Sequence, residues 1–459
     1  MTAKRAVVLI TEGAAPELLE RWGPEVLPSF HRLRTDGAYG PMTAEFVPYE
    51  PPGLISAFTG YGVAEHGCYS YWDVHSEDYE PAILDSGSPL RELLWHRSEL
   101  AGLTTSVINV FGTHPVRPLN GTCISYPMRR TLSATYPRSL QAELAREGLT
   151  PVHDATLWFS GQPKPEFVPR VLNADRVRAE AALRLWDGTT GDRPDLLVCN
   201  LTAIDRLSHF YWQELGAGSP VPEHEQAVRQ AYLLADEILG WFLDRVDENT
   251  EVLAFSEIGF GPLHAYCSVN DILAAAGLLT REPDGRVRWS ESEAFEAVQG
   301  AQGVNINLVG RYRDGVVQTE RRRQTLDRVR EVLLAHVNPL TGTRMFAEVL
   351  PREEVYRGPA TDLAPDLVLV PADWRYQPLG DTHWSGRVNR TLQSGWHRPE
   401  SYWGGLGASF GSGAGAMATP LDVAPTILRM LGRPPLDDLR GRPLSAIRIP
   451  GDSHAIRTS

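Results

Sequence analysis

Short apolar runs, each closed by polar or glycine-containing residues, constrain this chain more than any other feature of its sequence. Residues 6–10, 106–110, 196–201, 252–255 and 367–370 are rich in aliphatic and β-branched side chains. A strand that is apolar on both faces has to be covered on both faces, which is the condition of a parallel sheet held between helices. Within residues 225–246, Val228, Ala231, Leu234, Ala235, Ile238, Leu239 and Phe242 recur at helical spacing. Strand, helix and strand therefore form a βαβ unit there. Further helices are expected at 320–337 and at 421–431, the second stopped by Gly432 and Pro434.

From about residue 264 to 359 the pattern changes to short strand-like pieces, such as 305–309, and a charged helix. The expected organisation is an α/β fold with a mainly parallel sheet between helices. Its core falls in two parts, 1–263 and 360–459, separated by an inserted cap or subdomain at 264–359. The 374–402 loop, rich in Trp, Arg, Gly and His, is long for a connector and is assigned to the site.

Charge narrows the partners. Against 57 acidic residues stand 44 basic ones, for a net charge of −13, and Lys4 and Lys164 are the only lysines. Such a chain does not track a phosphate backbone, so neither nucleic acid nor an anionic membrane surface is expected as a partner. A small anionic substrate stays compatible, because a bound metal supplies positive charge of its own. Cys68, Cys123, Cys199 and Cys267 are widely separated, which points to reduced thiols and against a disulfide framework or a thiolate zinc site. The run 6–10 is preceded by Lys4 and Arg5 and followed at once by Thr11 and Glu12, which is no signal peptide. The run 272–279 is too short to span a membrane. A cytoplasmic protein with a small-molecule substrate is the expectation.

In an open parallel sheet, ligands bind beyond the carboxyl ends of the strands. The first acids after three of the apolar runs are Glu12, Asp205 and Glu257. Three acids on one sheet edge repel one another unless a cation sits among them. Asp205 and His209 are four apart in IDRLSH, so both side chains reach one metal if that segment is helical.

The segments 7–15, 48–67 (beginning PYEPPGLISAFTG), 202–212 (TAIDRLSHFYW), 255–262 (FSEIGFGP), 355–369, 397–400 (HRPE) and 422–442 run almost end to end. In content and order they resemble the type I phosphodiesterase/nucleotide pyrophosphatase branch of the alkaline phosphatase superfamily. The resemblance implies an alkaline-phosphatase-like fold and two divalent metal ions, usually zinc. It also implies attack on a phosphoester by a metal-bound Thr or Ser. Asp205, His209 and His397 match the first metal's ligands. The positions of the second site read Glu12, Glu50, Glu257 and Ile258, so the hydroxyl nucleophile and one histidine are replaced. Ser56 and Thr59 match non-nucleophilic positions, Thr43 is a further nearby hydroxyl, and rescue by any of them is not expected. His66 matches a turn histidine. His114, His264 and His383 have no spacing partner.

Drift would not favour Glu at three of four abandoned positions, and exchange of a hydroxyl for Glu50 is not a conservative change. The reading is therefore a respecified centre. Asp205, His209 and His397 hold one metal; Glu12, Glu50 and Glu257 complete the second, with Glu50 as a bridging and catalytic carboxylate. Oxygen-rich ligation with some imidazole favours iron or manganese, zinc remaining compatible. Such a centre suits non-phosphoryl chemistry on a small molecule, oxygen-dependent or rearranging. One alternative is a phosphodiesterase-like hydrolase using a metal-activated hydroxide or Glu50 itself; another is a non-catalytic relative. Tyr49, Trp212, Arg206 and Arg398 flank the ligands and are taken as substrate-binding.

Overall fold

The computed structural model describes residues 4–45, 47–127, 131, 133–153, 166–188, 193–378 and 393–447. The first eight strands are β1 (Arg5–Thr11), β2 (Ala38–Thr43), β3 (Thr105–Ile108), β4 (Gly121–Ile124), β5 (Thr135–Tyr136), β6 (Leu196–Leu201), β7 (Thr250–Phe255) and β8 (Gly259–Pro262). The large sheet runs Gly413–Ala414, β2, Glu400–Leu406, β7, β1, β6, β3, β4, β5. Its five central strands, from β7 to β4, are parallel. The strand Glu400–Leu406 is antiparallel to both of its neighbours.

The fold is α/β with a mostly parallel sheet, as the apolar runs require. Along β1, Ala6, Val8 and Ile10 enter one core while Val7 and Leu9 enter the other, so both faces are dry. The helix Ala227–Leu243 covers one face with the side chains its periodicity singled out. Helices Glu50–Thr59 and Val423–Met430 pack on the opposite face. The 320–337 pattern becomes the helix Arg322–Ala335, and Gly432 follows Val423–Met430 with a positive φ.

One run behaves differently. Residues 367–370 form the strand Leu367–Pro371, which pairs antiparallel with Gly303–Ile306 and Phe346–Pro351 in a separate four-stranded sheet. The physical reason is that Leu367 and Leu369 face the core of this smaller sheet while Val368 faces the main core. A strand wedged between two cores has the same two-sided apolar character as one inside a parallel sheet. All four cysteines are unpaired. Among the described residues no helix is long and apolar enough to cross a membrane.

Candidate metal centre

Parallel pairing brings three strand ends to one edge. Thr11 lies opposite Leu201 and Ile10 opposite Phe255, so the residues that follow β1, β6 and β7 emerge side by side. Glu12 comes directly after β1. Gly13 then turns the chain with φ +79°, a conformation that favours glycine, and a Cβ there would lie 3.1 Å from the Asp205 Cα and Cβ. Beyond β6 the chain enters the helix Ala203–Tyr211, so Asp205 and His209 share a face, as their spacing required. His397 arrives on the strand Gly395–Arg398, opposite Phe260 of β8. Glu50 opens the helix Glu50–Thr59, whose first turn accepts Pro51 and Pro52 because amides there need no helical partner.

Asp205 divides its oxygens. The Nε2 atoms of His397 and His209 lie 3.0 Å and 3.6 Å from its Oδ1, while Oδ2 accepts a short hydrogen bond from Arg206 Nη1. Two groupings follow, Asp205/His209/His397 and Glu12/Glu50/Asp205; in each, one ligand atom per residue lies within 4.8 Å of the others. Glu12 accepts a bond of 2.7 Å from Asn200 Nδ2 through Oε2, and its Oε1 has no hydrogen-bond partner among the described residues. Glu50 accepts one of 3.3 Å from the Tyr71 hydroxyl through Oε1, and its Oε2 lies 3.7 Å from His397 Nδ1. Among the described residues neither buried oxygen of Glu257 has a hydrogen-bond partner, and Glu257 stands outside the two groupings.

Burial and neighbouring charges shift the ionisable groups of the centre in different directions. Glu12 and Glu257 are pushed well above the usual carboxylate range by loss of solvent and by their acidic neighbours. Burial raises Glu50 as well, against the pull of His397 and Arg206. Burial would also raise Asp205, but His209, Arg206 and His397 outweigh it and hold its carboxyl below its ordinary value. The His209 imidazole, desolvated and close to His397 and Arg206, is pushed down to about 3. A neutral imidazole at His209 beside an ionised Asp205 is a donor state that a metal ion needs, and Asp205, His209 and His397 fit an ion because each brings a buried ligand atom within 4.8 Å of the others.

The flanking side chains take different parts. Tyr49 is buried, its ring 5.5 Å from those of His397 and Tyr71. Trp212 stacks on Phe260 at 5.6 Å. Arg206 points into the acids, whereas Arg398 donates to the Trp396, His397 and Pro262 carbonyls and so fastens two strands to each other. Ser56 is fully buried beside His66. The Cys68 amide donates to His66 Nδ1, which leaves Nε2–H to donate to Ser56 Oγ at 2.9 Å. That imidazole cannot take a proton from Ser56. His383 and residues 379–392 of the 374–402 loop lie outside the described residues.

Sequence reasoning missed Asn200, Tyr71 and Tyr126. Asn200 could have been found as the polar residue of an otherwise apolar strand. The two tyrosines come from loops with no spacing relation to the ligands.

A family model for type I phosphodiesterase/nucleotide pyrophosphatase matches residues 6–399. The chain belongs to that family. The family lies in the alkaline phosphatase superfamily, and its members are hydrolytic enzymes that generally hold two divalent ions, typically zinc. As a type I phosphodiesterase family member the chain shares its fold with solved structures. Human ectonucleotide pyrophosphatase/phosphodiesterase 5 aligns at TM-score 0.58 and 13% identity, over 95% of this chain and 97% of that one. The murine protein, in complex with AMP, gives 0.57 and 12%, over 94% and 96%. Phosphonoacetate hydrolase from Sinorhizobium meliloti 1021, in complex with phosphonoacetate, gives 0.60 and 16%, over 94% and 95%. No curated protein matches the chain.

Proposed function

We propose that this family member is a metal-dependent enzyme acting on a small molecule at a respecified carboxylate and histidine centre, by chemistry other than covalent phosphoryl transfer. The observation that carries the reading is Glu50. A carboxylate opens the helix where the family pattern has its hydroxyl, and it faces His397 and Arg206 from within 4 Å. Ser56 already accepts from His66, and burial holds the Tyr71 phenol well above its ordinary value, so neither hydroxyl is a ready substitute nucleophile. Asp205, His209 and His397 would hold a divalent ion, iron or manganese before zinc. Two imidazoles and one carboxylate are also the donor set of non-haem iron enzymes. Such an ion would act as a Lewis acid toward a substrate oxygen or a water. The family pattern has its second ion where this chain carries Glu12, Glu50 and Glu257. The cap at 264–359 is proposed to shape the approach to the centre, its Gly300 backbone lying against the Tyr49 ring.

Retained hydrolysis is the second reading, favoured by the family match over residues 6–399. One experiment separates the two. Protein is made with iron, manganese and zinc all available, then assayed for metal content and for turnover of a chromogenic phosphodiester. The proposal expects bound iron or manganese, lost in His397→Ala, and no turnover. Metal-free protein would sink it, and turnover abolished by Glu50→Ala would return the chain to the hydrolases.

A further inference from the structure

We infer that the guanidinium of Arg206, not a second metal ion, is the resident cation among Glu12, Glu50 and Asp205. The centre then holds a single ion, at Asp205, His209 and His397, an expectation that rests on the metalloenzyme reading above. The second ion of the family pattern does not fit this chain.

Arg206 Nη1 bonds Asp205 Oδ2 and lies 3.7 Å from Glu12 Oε1 and 3.8 Å from Glu50 Oε1. Those are the three carboxylates that form the second metal-like grouping. The side chain is buried, and a guanidinium keeps its charge at any pH a protein meets. Were it to leave, three buried acids would lose their nearest fixed cation.

Its other terminal nitrogen is held separately. Nη2 donates to the Tyr126 hydroxyl at 2.8 Å, Tyr126 and Tyr71 are 3.1 Å apart, and Tyr71 donates to Glu50 at 3.3 Å. Only one direction satisfies this chain. Tyr126 accepts from Arg206 and donates to Tyr71, which donates to Glu50. The guanidinium and the carboxylate are thus linked twice, through Nη1 by charge and through Nη2 by two phenolic hydroxyls. The phenol pair gives the guanidinium a partner that a metal ion in its place would not need.

The remaining change agrees. Ile258, buried and apolar, stands at the position where the family pattern has its second-site histidine. The site has lost an imidazole ligand, and the residue after Asp205 supplies a permanent positive charge. Asp205 serves both sides, Oδ1 toward the imidazoles and Oδ2 toward the guanidinium.

The test is ion stoichiometry by elemental analysis after loading with excess manganese, iron or zinc and desalting. It compares wild type with Arg206→Met, Arg206→Lys and Glu50→Gln. The inference expects one ion per chain in wild type, one in Arg206→Lys, and one more than wild type in Arg206→Met. Two ions in wild type would overturn it, as would Arg206→Met that folds and takes up no extra ion. Should Arg206→Met not fold, Glu50→Gln decides. Unchanged stoichiometry supports the inference, because Glu50 then faces Arg206 and holds no ion, and loss of one ion overturns it. A wild type that takes up no ion defeats the metalloenzyme reading alone, since the assignment of Arg206 still turns on whether Arg206→Met gains an ion that wild type lacks.

Discussion

Glu45 shows what partial burial does to a single carboxylate in this molecule. Loss of solvent pushes its pKa up to about 7, and hydrogen bonding from Ser56 and the Val63 amide only partly offsets the effect. The folded chain therefore holds that proton more tightly than the unfolded chain. The contribution to stability is full below the unfolded value near 4.5 and is lost as pH rises through about 7, a change of about 3 kcal/mol. Glu45→Gln keeps an acceptor for Val63 and removes the charge. We expect its melting temperature to match wild type at pH 4, below the unfolded value, and to exceed it at pH 8, which thermal melts at the two pH values check. Nothing in the sequence marks Glu45, because its burial depends on contacts distant in the chain. Asp205 and His209 were legible for the opposite reason: four residues on a helix fix two side chains on one face whatever surrounds them. Arg206 was legible only as a neighbour of a ligand, since its inward direction depends on Tyr126, 80 residues away.

At the scale of elements, the helix Glu50–Thr59 is held against the sheet edge by an absent side chain. A Cβ on Gly53 would lie 2.8 Å from Cγ and 3.0 Å from Cβ of the buried Glu257. Alanine for glycine inside a helix ordinarily adds roughly 0.5–1 kcal/mol. Here we expect Gly53→Ala to destabilise instead, by about 1–3 kcal/mol, the cost of overpacking a filled interior; urea denaturation measures it. A gain in stability would mean that Glu257 yields easily and is not fixed at the centre. Elements were readable where one rule acted alone. The periodic helix at Ala227–Leu243 and the parallel strands β1, β6 and β7 follow from apolar pattern. The strand Leu367–Pro371 was misplaced because two-sided burial has two causes, a central position in one sheet or a wedge between two, and a short apolar run carries no mark that tells them apart.

For the molecule as a whole, the decisive property is depth. Glu12, Asp205 and Glu257 are 0% exposed, His397 1%, His209 2% and Glu50 3%. Ligands this deep cannot be displaced from an ion while the surrounding structure holds them in place, so we expect an ion to leave only when the protein opens, even where a substrate meets its free face. Chelator-driven loss of metal should then proceed at a rate independent of chelator concentration, which a time course at two concentrations tests; a rate proportional to chelator would mean that the ion is reached directly. If opening is slow relative to the life of the molecule, the identity of the bound ion is settled by supply during folding rather than by equilibrium among the metals present later. Preparations from different growth media would then differ in composition while being identical in sequence, each keeping a record of the conditions in which it was made.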